Sequence, residues 1–176
     1  MKEDLPIFDE KTWNLNTKQI ELTRLARKLG QEKFSTRAAH YDRTATFPTE
    51  NYKDLFDSGL IGICIPEPSG GHGADFKTYM LTAAEIGRYC GATALTFNMH
   101  VSSCLWSGHL IDNLDIDDND RTEHNVNREV HYRRILDDGA IYAQPFSEGG
   151  SAAAGATSFQ TTALRVENGW IVNGKK

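Results

Sequence analysis

"AIYAQPFSEGGSAAAGATSFQTTALRVENGWIVNGKK", residues 140–176, is where the apolar pattern changes its period, and that change decides the fold. Up to about Asp138 the apolar residues recur at helical spacing; from Ala140 onward the period is two. "AIYAQPF", residues 140–146, is a strand candidate. "TALRV", "ENG" and "WIVNG" then read as a β-hairpin in which Asn168-Gly169 supplies the positive-φ turn and Trp170 and Val172 alternate with Ile171. Three strands with open edges are too little sheet to be stable alone. The expected fold is therefore mainly α with a partial β segment: a helical domain over residues 1–138, then the beginning of a β domain over 139–176.

Upstream, the stretch from Asn16 to about Ala39 places Leu22, Leu25, Ala26 and Leu29 on one face. Asn16 or Thr17 is its entry cap, with Gln19 at the capping-box distance from Asn16. A second helix follows Pro48, capped by Thr49 and ended by Gly59, with Tyr52, Leu55 and Phe56 as its stripe. "LIGICIPEPSGGHGAD" alternates Ile61, Ile63 and Ile65 across two prolines and a glycine cluster, which predicts an extended loop between helices. Asp75 caps the next helix, whose inner face holds Tyr79, Ala83, Ile86 and Cys90. "ATALTFNMHVSSCLWSGHLI" is apolar on most sides, as expected of a helix in the middle of a bundle, and its Ser102, Ser103, Ser107 and Gly108 permit close approach of a neighbour or ligand. A last helix runs from about Thr122 to Asp137 and stops at Gly139.

The totals exclude several classes of function. The 176 residues, 39% hydrophobic and 24% charged, suit a globular protein with a real core. A net charge of -5 gives no basic field for nucleic acid or an anionic membrane, so neither is an expected partner. No run approaches a bilayer-spanning length, and the N-terminus has no signal-like apolar stretch, so a cytoplasmic setting is expected. Cys64, Cys90 and Cys104 have no disulfide or zinc spacing and read as core thiols. In "DNLDIDDNDRTEHN" the spacing of Asp115, Asp117 and Asn119 suits a calcium loop, but Asp120 stands where glycine must turn and Val126 where glutamate must chelate. His124 and His131 lack a carboxylate partner, so no metal is expected.

Five short stretches carry a family likeness: "IPEPSGGHG" from Ile65 to Gly73, "YRRILDDG" from Tyr132 to Gly139, "FSEGG" from Phe146 to Gly150, "TTA" from Thr161 to Ala163, and "VNGKK" from Val172 to Lys176. Singly each is common; together and in this order they resemble the N-terminal part of the acyl-CoA dehydrogenase-like flavoproteins. The resemblance implies an N-terminal helical bundle of that type, followed by the first strands of a β-barrel-like domain. Family members continue into the rest of that domain and a C-terminal four-helix bundle, which supplies the catalytic glutamate. An N-terminal portion without a catalytic residue of its own, inactive alone, is thus expected.

The same resemblance implies FAD as cofactor. Ser147 takes the place of the family's flavin-binding threonine, Phe146 of the residue before it and Gln144 of the residue three before it, while Gly150 and Ser151 stand in for a glycine and serine that help to place flavin and thioester. Phe97, Met99, His100 and Trp106 are the expected substrate-pocket residues. The implied reaction is α,β-dehydrogenation of an acyl thioester, in fatty acid metabolism, by a homo-oligomer that hands electrons to a transfer partner. This sequence departs from the family pattern in lacking the GSD triplet and the proline after Glu148, and its loop is one residue longer. Those departures keep one alternative open, and the unfinished strands a second. One is a flavin-dependent monooxygenase of the same fold, supplied with reduced FAD or FMN by a reductase and acting on a small aromatic or heterocyclic substrate, with His100 facing the flavin. The other is a non-catalytic module whose open strand edges pair with another chain.

Overall fold

Asn16 opens the first helix through a reciprocal capping box: its side-chain oxygen accepts the Gln19 N–H at 2.9 Å, and the Gln19 side chain accepts the Asn16 N–H at 3.1 Å. Asn16, not Thr17, is therefore the cap. The computed structural model describes residues 9–148 and 159–176. Helix α1 (Thr17–Leu29) passes through a π turn at Gly30–Phe34 into α2 (Ser35–Thr44), so this helical run extends past Ala39. A Cβ at Gly30 would collide with the ring of Tyr89, and the glycine is what lets that ring lie against the turn. Helix α3 (Thr49–Asp57) follows, but Thr49 does not cap it. Pro48 occupies the cap position, and the Thr49 hydroxyl donates back to the Phe47 carbonyl at 3.4 Å.

The segment after α3 departs from the expected alternation. Leu60, Ile61, Ile63, Cys64 and Ile65 are all buried. The cause is local: Leu60–Gly62 is a 3₁₀ turn, and the N–H groups of Ile63 and Ile65 bond back three residues to Leu60 and Gly62, so the backbone coils and sends successive side chains into the core; the next 3₁₀ turn, Glu67–Ser69, buries none of its own. Gly71 then passes so close to the carbonyls of Ile65 and Gly62 that no side chain fits there. From the other side, Arg133 of the last helix donates to the Ser69 carbonyl, and the Ser69 hydroxyl donates to Glu129 at 2.8 Å.

Helix α4 (Phe76–Gly87) is capped by Asp75, whose carboxylate accepts the Thr78 N–H at 2.8 Å, and it buries Tyr79, Ala83 and Ile86 as expected. Helix α5 (Gly91–Leu105) continues into a second π turn, Trp106–Leu110. It is not enclosed on all sides. Phe97, His100, Val101 and Cys104 face the core, whereas Leu95, Met99, Trp106 and Leu110 are exposed. Helix α6 (Asp118–Asp138) is capped by Asp117 and ends at Gly139 in the left-handed region, φ 68°. The Asp117 carboxylate thus serves the backbone N–H groups of Asn119 and Asp120. Against Gly108, α6 brings the Tyr132 hydroxyl within 3.1 Å of where a Cβ would stand. Buried Glu85 is held by Arg27 at 2.9 Å and Arg88 at 3.2 Å. Among the described residues, no helix is long and apolar enough to cross a membrane.

Two compact units divide the chain, Met1–Ala143 and Gln144–Lys176. The second contains an antiparallel hairpin of β1 (Thr162–Val166) and β2 (Gly169–Asn173), with Thr162 opposite Asn173 and Val166 opposite Gly169. Its two-residue loop is therefore Glu167-Asn168 rather than Asn168-Gly169. Positive φ falls on Gly169 alone, at 144°, a value that side chains avoid. All ten strand residues are exposed. Residues 140–146 form no strand: the Tyr142 N–H is spent on a side chain, and Pro145 has no N–H to give a ladder.

Candidate functional site

His100 is fully buried, and both ring nitrogens are engaged. The Tyr142 N–H points at Nδ1 from 3.0 Å, so Nδ1 is the acceptor; Nε2 therefore carries the proton, donated to the Ile61 carbonyl at 2.9 Å. Burial holds its pKa below the ordinary 6.5. His131 meets the Tyr142 hydroxyl through Nδ1 at 2.6 Å, so two histidines fix the end of the helical unit. A histidine tied at both nitrogens has none left for a flavin or a peroxide, and the role expected of His100 in a monooxygenase gains no support.

The other expected pocket residues divide between two faces of α5. Phe97 joins His100 in the core, while Met99 and Trp106 lie on the exposed face with Leu95 and Leu110. Ser102 and Ser103, on the same side, turn their hydroxyls back to the Met99 carbonyl at 3.1 Å. The result is an apolar strip with small residues along it, in a helix that carries no carboxylate. Beside it lies a cavity of about 100 Å³ lined by Ser103, Cys104, Ser107, His131, Tyr132 and Tyr142. Burial pushes the Cys64 and Cys104 thiols up to about 12, which leaves both inert as nucleophiles at neutral pH. Among the described residues, no three His, Cys, Asp or Glu side chains are arranged to hold a metal. His124 instead contacts the Ser107 carbonyl at 3.0 Å.

In the second unit, Phe146 and Ser147 are exposed and Gln144 is half-buried. The Phe146 ring meets Phe159 edge-on at 5.1 Å, forming an open aromatic ledge. Next to it, the Glu148 carboxylate accepts the N–H groups of Gln160 at 2.6 Å and Thr161 at 3.1 Å, the Thr161 hydroxyl at 2.5 Å, and the Lys176 ammonium at 2.9 Å. An exposed ring, a neighbouring hydroxyl and a nearby cation fit the chemistry of a flavin, which is planar and gathers negative charge when reduced. Gly150 and Ser151 lie outside the described residues. No pattern in the sequence marks Glu148, Lys176 or Phe159 as part of this site. The first two stand in separate motifs, "FSEGG" and "VNGKK", and nothing in their spacing shows that they touch.

The fold is shared with butyryl-CoA dehydrogenase from Megasphaera elsdenii, at a TM-score of 0.66 and 22% identity over 92% of this chain and 40% of that one. In sequence, the family description "Acyl-CoA dehydrogenase, N-terminal domain" matches residues 16–111. The chain belongs to the acyl-CoA dehydrogenase family. A probable acyl-CoA dehydrogenase, YngJ of Bacillus subtilis, is 34% identical over 87 residues, which are 49% of this chain and 23% of that protein. The mitochondrial isovaleryl-CoA dehydrogenase of Pongo abelii is 28% identical over 174 residues, 98% of this chain and 38% of its own length. The chain thus spans about a quarter to two fifths of these relatives.

Proposed function

We propose that this chain contributes to an FAD-dependent oxidoreductase that α,β-dehydrogenates an acyl thioester, supplying one wall of the acyl pocket and one edge of the flavin site. The observation that carries the reading is the exposed apolar face of α5, in a helical domain of a family whose named relatives act on acyl-CoA substrates. Leu95, Met99 and Trp106 would line the acyl chain and keep water from it. The small Ser102 and Ser103 leave room beside them. Phe146 and Ser147, with Gln144, would hold the cofactor, the ring by contact and the hydroxyl by donation to a ring oxygen. When bound, FAD supplies acceptance of a hydride from the acyl β-carbon. Because α5 carries no Asp or Glu, the base that takes the α-proton comes from another part of the protein. A redox partner must then reoxidise the cofactor.

The test is anaerobic addition of acyl-CoA thioesters of short, branched and long chain to the purified full gene product, with flavin absorbance followed. Bleaching by at least one of them is the expected result. Flavin that stays oxidised with all of them, yet consumes oxygen and hydroxylates an aromatic substrate once reduced, would replace this reading with the monooxygenase one.

A further inference from the structure

We infer that Glu148 is a positioning residue for the cofactor contacts at Phe146 and Ser147, and that Lys176 acts with it as one clasp; this rests on the flavin edge proposed above. Neither strand of the hairpin buries a residue, so a hydrophobic core does not fix the segment that carries those contacts. Polar bonds do so instead. The Glu148 carboxylate reaches across to residues 160 and 161: Oε1 takes the Thr161 N–H, the Thr161 hydroxyl and the Lys176 ammonium, and Oε2 takes the Gln160 N–H. Lys176 adds a second tie, donating to the Phe146 carbonyl at 3.3 Å while its ammonium lies 4.1 Å from the centre of the Phe159 ring.

One ammonium therefore holds the residue before Ser147 by its carbonyl and the residue after it by its carboxylate. Ser147 is left exposed between two fixed neighbours, which sets its backbone and limits where its hydroxyl points. The Glu148 pKa is lowered to about 2, first by the Thr161 hydroxyl, then by Lys176 and the Gln160 N–H, so the ionised clasp is intact at every physiological pH. Lys175 lines the same groove as Glu148 and Lys176. Groups that orient metal ligands without touching the metal cost on the order of tenfold to a hundredfold in affinity when lost, and a contact to an organic cofactor held in the same way should follow that scale.

The test uses the full gene product as wild type, Glu148→Gln, Lys176→Met and the double variant, with FAD affinity and amide hydrogen exchange at Gln160 and Thr161 as readouts. Each single variant is expected to weaken FAD about tenfold or more, and the double no further than the worse single, because the two act as one unit. Exchange at both amides rises in Glu148→Gln. Should that variant fail to fold, Lys176→Met still decides, since it leaves the carboxylate its other three donors. Faster exchange with unchanged FAD affinity would overturn the positioning role and leave the proposed function standing. Absence of FAD binding in the wild type would overturn the proposed function and this inference together.

Discussion

At the scale of single residues, His100 and Glu148 show how a fold uses a titratable group as a tie. Replacing His100 by Leu strands the Ile61 carbonyl and the Tyr142 N–H, and should cost about 3 kcal/mol in urea unfolding; a loss below about 1 kcal/mol would mean that water replaces both bonds. The sign of its pH effect follows from burial, which depresses the folded pKa below 6.5. Above 6.5 the ring is neutral in both states; below it the unfolded chain takes up a proton that the folded one refuses, so stability falls as pH drops toward the folded pKa. Half-buried His72, also lowered by burial, adds an effect of the same sign. The measurement is thus the difference between wild type and His100→Leu from about pH 7.5 to 5, where the variant should lose part of the slope. Glu148 follows the carboxylate case: its contribution is full above the ordinary 4.5 and lost as pH falls through about 2. The Thr161 amide shift should accordingly hold steady through neutral pH and move only on strong acidification; movement near 4.5 would mean that the clasp does not form in solution.

At the scale of elements, the caps at Asn16, Asp75 and Gly139 were legible, while the cap of α3 and the paths between helices were not. Asn16, Asp75 and Gly139 stop or start helices through local chemistry, and each acts where its sequence neighbours place it. Asn16→Ala should cost about 1 kcal/mol, read as a lower unfolding midpoint, and no change would mean that another acceptor takes over the Gln19 N–H. The Ile61–Ile65 run misleads because alternation assumes a strand, whereas i→i+3 turns from Leu60 to Ile65 turn every apolar side chain of the run inward. Helix α5 misleads in the opposite way. Its composition is that of a fully buried helix, yet Met99 and Trp106 are exposed, as expected of a surface that meets a ligand or a further part of the protein. Trp106→Ser should therefore change stability by less than about 0.5 kcal/mol while raising KM for acyl-CoA; a large loss of stability would place Trp106 in the folding core instead.

At the scale of the whole molecule, the helical unit owns the core. Phe34, Leu55, Ile86, Phe97, Tyr132 and Ile135 are buried within it, and the hairpin's apolar residues Leu164, Trp170 and Val172 are not. A chain ending at Ala143 should keep its helical circular dichroism and unfold within about 1 kcal/mol of the parent, since most of the burial that drives folding lies before that point. Collapse of the helical signal would show that the two units fold only together. What the sequence by itself determined was the caps at Asn16, Asp75 and Gly139 and the family, because capping and short motifs are written in neighbouring residues. Only the tertiary structure decided that both nitrogens of His100 are spent on the backbone, that the pocket candidates of α5 fall on opposite faces, and that Glu148 meets Lys176. Each depends on residues far apart in the chain being brought within hydrogen-bonding distance or turned toward the core, and no local pattern encodes that separation.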